Sequence, residues 1–118
     1  MHELSIAQAL ASEIESIVRS EGARAVSRVT LAVGALSGVE PEALRLAFPV
    51  AMEGTAAAHA ELVLQRIPAQ VRCRTCGQDT EPDFPVFVCG HCGSSDIDIA
   101  AGRELLIQSV ELDVPDAS

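Results

Sequence analysis

The chain contains no Lys, no Trp and no Tyr, and only three Phe among 118 residues. Flat rings on which bases or sugars stack are therefore nearly absent, which argues against a stacking platform for single-stranded nucleic acid. The missing Lys leaves eight Arg against seventeen acids, a net charge of −9. Such a surface repels phosphate, and sequence-independent nucleic-acid binding needs a basic patch that displaces counterions. No apolar run reaches the length of a bilayer-spanning helix. Residues 1–20 carry Glu3, Glu13 and Glu15 inside the N-terminal apolar pattern, so they do not read as a signal peptide. These absences point to a cytoplasmic protein without membrane or nucleic-acid partners, better suited to a cation. What is present is 48% apolar sequence, enough for one modest core at this length.

Leu4, Ala7, Leu10, Ile14, Ile17 and Val18 recur at spacings of three and four and predict an amphipathic helix. Ser5 and Gln8 offer a capping box, with a start one turn earlier as the alternative, and Gly22 a stop. Alternation predicts a strand over 26–33. Pro41 at a first helical position opens a second helix through Leu44, Ala47, Phe48 and Ala51. Pro49 inside it predicts a kink or an end near Phe48. Alternation returns over 60–67 and 104–112, the latter with Leu105, Ile107 and Ser109 on one side and Leu106, Gln108, Val110 and Leu112 on the other. The fold class is α+β, a small three-stranded sheet with two helices plus an inserted four-cysteine, zinc-ribbon-like domain. The main domain takes residues 1–69 and 100–118, and the insert residues 70–99.

All four cysteines lie in the insert, as Cys73-x-x-Cys76-Gly77 and Cys89-x-x-Cys92-Gly93 with twelve residues between the pairs. In a reducing compartment that pattern reads as metal ligation, not disulfides. Two tight turns each aim two thiolates at one cation, and the closed tetrahedron of four cysteines is the structural Zn(II) arrangement, with no open position for catalysis. A rubredoxin-like iron centre shares the spacing, but only Phe84 and Phe87 are available as an aromatic shell. With little apolar sequence of its own, the insert is expected to depend on the metal for its fold. His91, within the second knuckle, reads first as an exposed turn residue, and His59 as a polar surface residue.

Met1-His2-Glu3 suggests a second metal site. The α-amine of Met1, the backbone nitrogen and imidazole of His2, and the amide of Glu3 can close successive chelate rings. Such nitrogen-rich planar ligation favours Ni(II) or Cu(II). Glu3 and Glu40 lie near two helix starts, where a carboxylate suits the helix dipole. Either one can also orient His2 or ligate if the 34–40 loop folds back to the N-terminus.

MHELSIAQAL at the start, VGALSGVEPEALRLAF in the middle, the two knuckles and the late Gly102-Arg103-Glu104-Leu105 together resemble the HypA/HybF family of hydrogenase nickel-incorporation proteins, to about residue 112. The resemblance implies a nickel metallochaperone that is not an enzyme and carries Ni(II) as cargo at Met1, His2 and Glu3, with Glu40 the acidic position after the SGV segment. It implies zinc at Cys73, Cys76, Cys89 and Cys92, a nickel-handling maturation GTPase as partner, and delivery to the large subunit of [NiFe]-hydrogenase. A monomer or weak homodimer fits it. The competing reading is a zinc-ribbon protein-interaction module without metal delivery, for which the MHE start would have no role.

Overall fold

A computed structural model describes residues 2–83 and 86–115. The elements run α1 (Glu3–Glu21), β1 (Ala25–Gly34), α2 (Pro41–Met52), β2 (Glu61–Ile67), β3 (Gln70–Cys73), β4 (Asp79–Thr80), β5 (Ile97–Ala101) and β6 (Leu105–Asp113). The chain is α+β as expected, with one three-stranded sheet ordered β2-β1-β6 and a second ordered β4-β3-β5. It divides into two compact units. The first comprises 1–32, 38–65 and 106–118, and the second 33–37 and 66–105.

In the first unit α1 buries Ala7, Leu10, Ile14 and Val18, the stripe that the helical period demands. Gly22 closes the helix in the left-handed conformation at φ 64°, its N–H reaching the Arg19 carbonyl at 3.4 Å while the Ala23 N–H reaches the Val18 carbonyl at 3.1 Å. The N-cap is His2, not Ser5, and no side chain caps the helix. The capping box is thus a correction: Ser5 already lies inside the first helical turn. α2 buries Leu44, Phe48 and Met52 and packs on α1.

The kink expected at Pro49 does not end α2, which continues to Met52. Proline removes the N–H that would bond the Arg45 carbonyl, but Arg45 and Pro49 are exposed, so water can satisfy that carbonyl. Meanwhile Phe48 and Met52 anchor the last turn from the other face.

Arg24 N–H donates to the Asp113 carbonyl at 2.9 Å and Gly34 N–H to the Glu104 carbonyl at 2.6 Å. β6 therefore runs antiparallel to β1. Arg28 pairs with Glu61 at 2.7 Å and Ala35 N–H bonds the Ile67 carbonyl at 2.9 Å. Those two contacts place start beside start and end beside end, so β2 runs parallel to β1, with α2 as the crossover a parallel pair requires. The simple alternation expected in the last strand also needs correction. Leu105, Ile107, Val110 and Leu112 are half-buried, whereas Gln108 and Ser109 are both exposed. The strand changes phase there, so no single face carries every second residue.

The second unit buries little apolar sequence among its described residues: Val33, Ala69, Val71, Cys73 and Cys89. Its sheet is short, with Val71 opposite Thr80 on one side and Ile99 on the other. Backbone contact substitutes for side-chain packing where β1 ends. A Cβ at Gly34 would stand 2.0 Å from the Gly102 carbonyl oxygen, and one at Gly102, whose φ is +114°, would stand 2.8 Å from the Ala69 Cα. Only glycine admits chain passes this close.

Candidate metal centres

The two knuckles of the second unit are built alike. Gly77 and Gly93 both sit at φ 77°, a conformation that side chains rarely adopt. Their N–H groups bond the Cys73 and Cys89 carbonyls, each at 2.9 Å. That reversal frees the preceding amides to point at sulfur. Thr75 and Cys76 N–H donate to Cys73 Sγ at 3.3 and 3.4 Å, and His91 and Cys92 N–H donate to Cys89 Sγ at 3.3 and 3.4 Å. The four sulfur atoms lie within 4.8 Å of one another, with Cys73–Cys92 at 3.5 Å and Cys76–Cys89 at 3.6 Å. A tetrahedron of thiolates about 2.3 Å from a central cation has edges of about 3.8 Å. The donor set therefore fits one tetrahedral ion.

Cys73 and Cys89 are buried and Cys76 and Cys92 exposed. The Cys76 N–H, with help from Thr75, pulls the Cys73 thiol down to about 6, and the Cys92 N–H likewise lowers Cys89. At Cys76 the Gln78 N–H acts in the same direction but is outweighed by burial and by the neighbouring sulfurs, which push the thiol up to about 12. Cys92 is raised as well, the lowering by the Ser94 N–H being overcome by the Cys73 sulfur and burial. The first cysteine of each knuckle is thus the natural thiolate, and a bound cation deprotonates its other ligands outright.

Sequence reasoning missed the contacts that tie the knuckles together. Arg74 donates to Asp96 Oδ1 at 2.5 Å and also pairs with Asp98, while the Thr75 and Ser94 hydroxyls meet at 2.9 Å. The signal available was an acid pair two residues apart, Asp96 just ahead of β5 and Asp98 within it. His91 is exposed, as is His59.

In the first unit, Met1 lies outside the described residues. His2 is exposed and occupies the N-cap of α1. The first helical bond runs from Ile6 N–H to the His2 carbonyl at 3.2 Å, so the amides of His2 and Glu3 precede the helical ladder, as the first amides of any helix do. The 34–40 loop does reach the N-terminal segment: Glu40 N–H donates to Glu3 Oε2 at 3.1 Å. That bond, the largest influence on it, holds the Glu3 carboxyl below its ordinary value. Residue 40 therefore meets Glu3 through its main chain, and the Glu40 carboxylate is exposed. No helix among the described residues is long and apolar enough to cross a membrane.

A small α+β fold carrying a four-sulfur cluster and a helix that starts at a His-Glu pair defines a metal-handling protein. The family of hydrogenase/urease nickel incorporation metallochaperones, hypA, matches residues 1–112. Hydrogenase maturation factor HypA of Synechococcus elongatus is 45% identical over 113 residues, 95% of this chain and 99% of that one. The factor of the same name from Chlorobium limicola is 41% identical over 116 residues, 98% of this chain and 100% of its own. The chain belongs to the HypA family. In fold it is similar to the solution structure of the Ni metallochaperone HypA from Helicobacter pylori, with TM-score 0.71, 24% identity, and coverage of 98% of this chain and 100% of that one. A second solution structure of a HypA protein gives TM-score 0.73 at 24% identity, covering 95% and 96%.

Proposed function

We propose that this chain binds Ni(II) through its N-terminus and delivers it for maturation of [NiFe]-hydrogenase, acting as a carrier and not as an enzyme. The ligands are the α-amine of Met1, the amide and imidazole of His2 and the amide of Glu3. The observation that carries this reading is the position of His2, exposed at the N-cap with its amide and that of Glu3 ahead of the helical ladder. Those nitrogens can give up their protons to a strongly binding metal without breaking a helical bond. Glu3 is held by the Glu40 main chain, so the Glu3 carboxylate positions the segment. Glu40 serves as an acidic neighbour and a reserve carboxylate ligand. A site made from a chain end can be taken apart one ligand at a time, which suits transfer.

Cys73, Cys76, Cys89 and Cys92 hold a structural Zn(II), and residues 70–99 form the zinc module inserted into a nickel domain of 1–69 and 100–118. When bound, the zinc supplies the crosslink that an unaided core of this size lacks. The protein works in the cytoplasm as a monomer or weak homodimer, with a nickel-handling maturation GTPase and the hydrogenase large subunit as partners.

The test is hydrogenase activity in cells that lack the chain. The wild-type chain restores activity at low nickel, and His2→Ala restores it only when nickel is supplied in excess. Equal restoration by both at low nickel would refute the N-terminal site.

A further inference from the structure

The two knuckles are joined to each other by more than their sulfurs. From the first knuckle the Arg74 N–H donates to the Asp96 carbonyl at 2.9 Å. The Arg74 guanidinium grips Asp96 Oδ1 at 2.5 Å and both carboxylate oxygens of Asp98, Oδ2 at 3.0 Å. The Thr75 hydroxyl meets that of Ser94, just past the second knuckle, at 2.9 Å. From inside the second knuckle the Gly90 N–H donates to Thr80 Oγ1 at 2.9 Å, and a Cβ at Gly90 would stand 3.3 Å from the Thr80 Cβ. The first knuckle is thus fastened to the chain that follows the second, and the second to the chain that follows the first.

What these ties restrain follows from coordination geometry. Each knuckle supplies two sulfurs. Around a tetrahedral ion the two pairs lie crosswise, whereas around a square-planar ion all four share one plane, so passing between them twists one knuckle against the other by about a quarter turn. Zinc has no geometric preference from its d electrons and accepts the tetrahedron, while four-coordinate Ni(II) favours the plane. A quarter turn would pull Arg74 off its two carboxylates, Thr75 off Ser94 and Gly90 off Thr80. Each tie is exposed and adds little to overall stability. Together they need only bias one arrangement over another, and a guanidinium fork fixes direction as well as distance.

We propose that Arg74 and Thr75 determine metal specificity at the cysteine site: by locking the knuckles crosswise they keep nickel out, so that the chain retains zinc there while it handles nickel. This rests on the assignment of the four cysteines to zinc. Both are positioning residues, acting through the knuckle backbone and not as ligands.

The experiment incubates the zinc-loaded full chain, and an Arg74→Ala/Thr75→Ala variant, with excess nickel salt, and follows zinc released, nickel bound and absorption. Sulfur-to-nickel absorption reads the cysteine site alone, because the proposed N-terminal ligands are nitrogens. The wild-type chain is expected to keep its zinc and show no such band. The variant should start with the same zinc content and then exchange, raising the nickel-to-zinc ratio at the cysteines about tenfold, with the nickel planar and diamagnetic. Asp96→Asn with Asp98→Asn, which keeps shape and removes charge, should give a smaller rise. Arg74→Lys should restore only part of the selectivity, since an ammonium lacks the fork. A wild-type chain that exchanges as readily as both variants overturns the lock and leaves the zinc assignment standing. Nickel that enters the variant as a tetrahedral, paramagnetic ion also overturns it, because no twist was released. So does a variant that loses zinc before nickel is added, which would make the pair support for the fold alone. A wild-type chain that binds no zinc sinks the zinc assignment and the lock with it.

Discussion

The two units solve the same problem with different means. Among the described residues the first buries twelve apolar residues drawn from both helices, from β1 and from Ala57, whereas the second buries five, two of which are the cysteines Cys73 and Cys89. A full buried aliphatic side chain contributes roughly 1.5–3 kcal/mol, so the first unit has a core of its own. The second holds its shape through close backbone passes, charged clamps such as Arg74 with Asp96 and Asp98, and four converging sulfurs. Exposed ion pairs contribute little each, so a cation held by those sulfurs would be the decisive crosslink. Under the proposed function the contrast becomes a division of labour: a self-sufficient domain exposes a chain end for an exchangeable metal, and a core-poor one needs a metal it does not release.

The most drastic way to break this comparison is to remove the zinc proposed for the four cysteines. A strong chelator should collapse the amide dispersion of residues 70–99 in a nitrogen–proton correlation spectrum while the α1 and α2 signals persist. Global unfolding, or no change in either unit, would erase the contrast. Next in size is Gly34→Ala, because its Cβ would meet backbone atoms that no side-chain movement can relieve. A loss of about 4 kcal/mol is expected in urea unfolding. Leu44→Ala, at a fully buried position, should cost about 3 kcal/mol. Leu46→Ala on the opposite side of the same helix should change stability by no more than about 0.5 kcal/mol.

The smallest effect is electrostatic. The Arg72 guanidinium grips Asp79 at 2.8 and 3.1 Å and holds its carboxyl below the ordinary 3.8. A depressed carboxylate contributes stability that is fully present above the unfolded value and is lost as pH falls through the lower folded one. Asp79→Asn should therefore slightly lower stability at neutral pH and match wild type in strong acid, as read by urea midpoints across that range.

Much of the first unit was legible because its elements are periodic. Four of the expected apolar positions of α1, namely Ala7, Leu10, Ile14 and Val18, are buried, and the three strands of its sheet lie within a residue or two of their expected bounds. Of the other two, Ile17 is half-buried and Leu4 is exposed because it lines an open groove with Leu46 and Val50 and not the core. Pro49 misled because its cost depends on whether the orphaned carbonyl meets water, which local sequence does not state. The β3, β4 and β5 strands were not legible, since runs of two to five residues are too short to establish a period. The sulfur cluster was legible because two-residue spacing is a local constraint. The bond between Glu3 and Glu40 spans 37 residues and follows only from packing of α1 against α2, so the sequence could name both residues without joining them.

The central claim is that the chain end holds the exchangeable metal and the four cysteines hold the permanent one. Calorimetric nickel titration tests it most directly when run on the wild-type chain, on His2→Ala and on a chain with one added residue before Met1, each assayed for zinc. The account predicts that nickel binding collapses in both altered chains while about one zinc per chain remains. Tight nickel binding that survives both changes, or zinc that departs with the nickel, would contradict it.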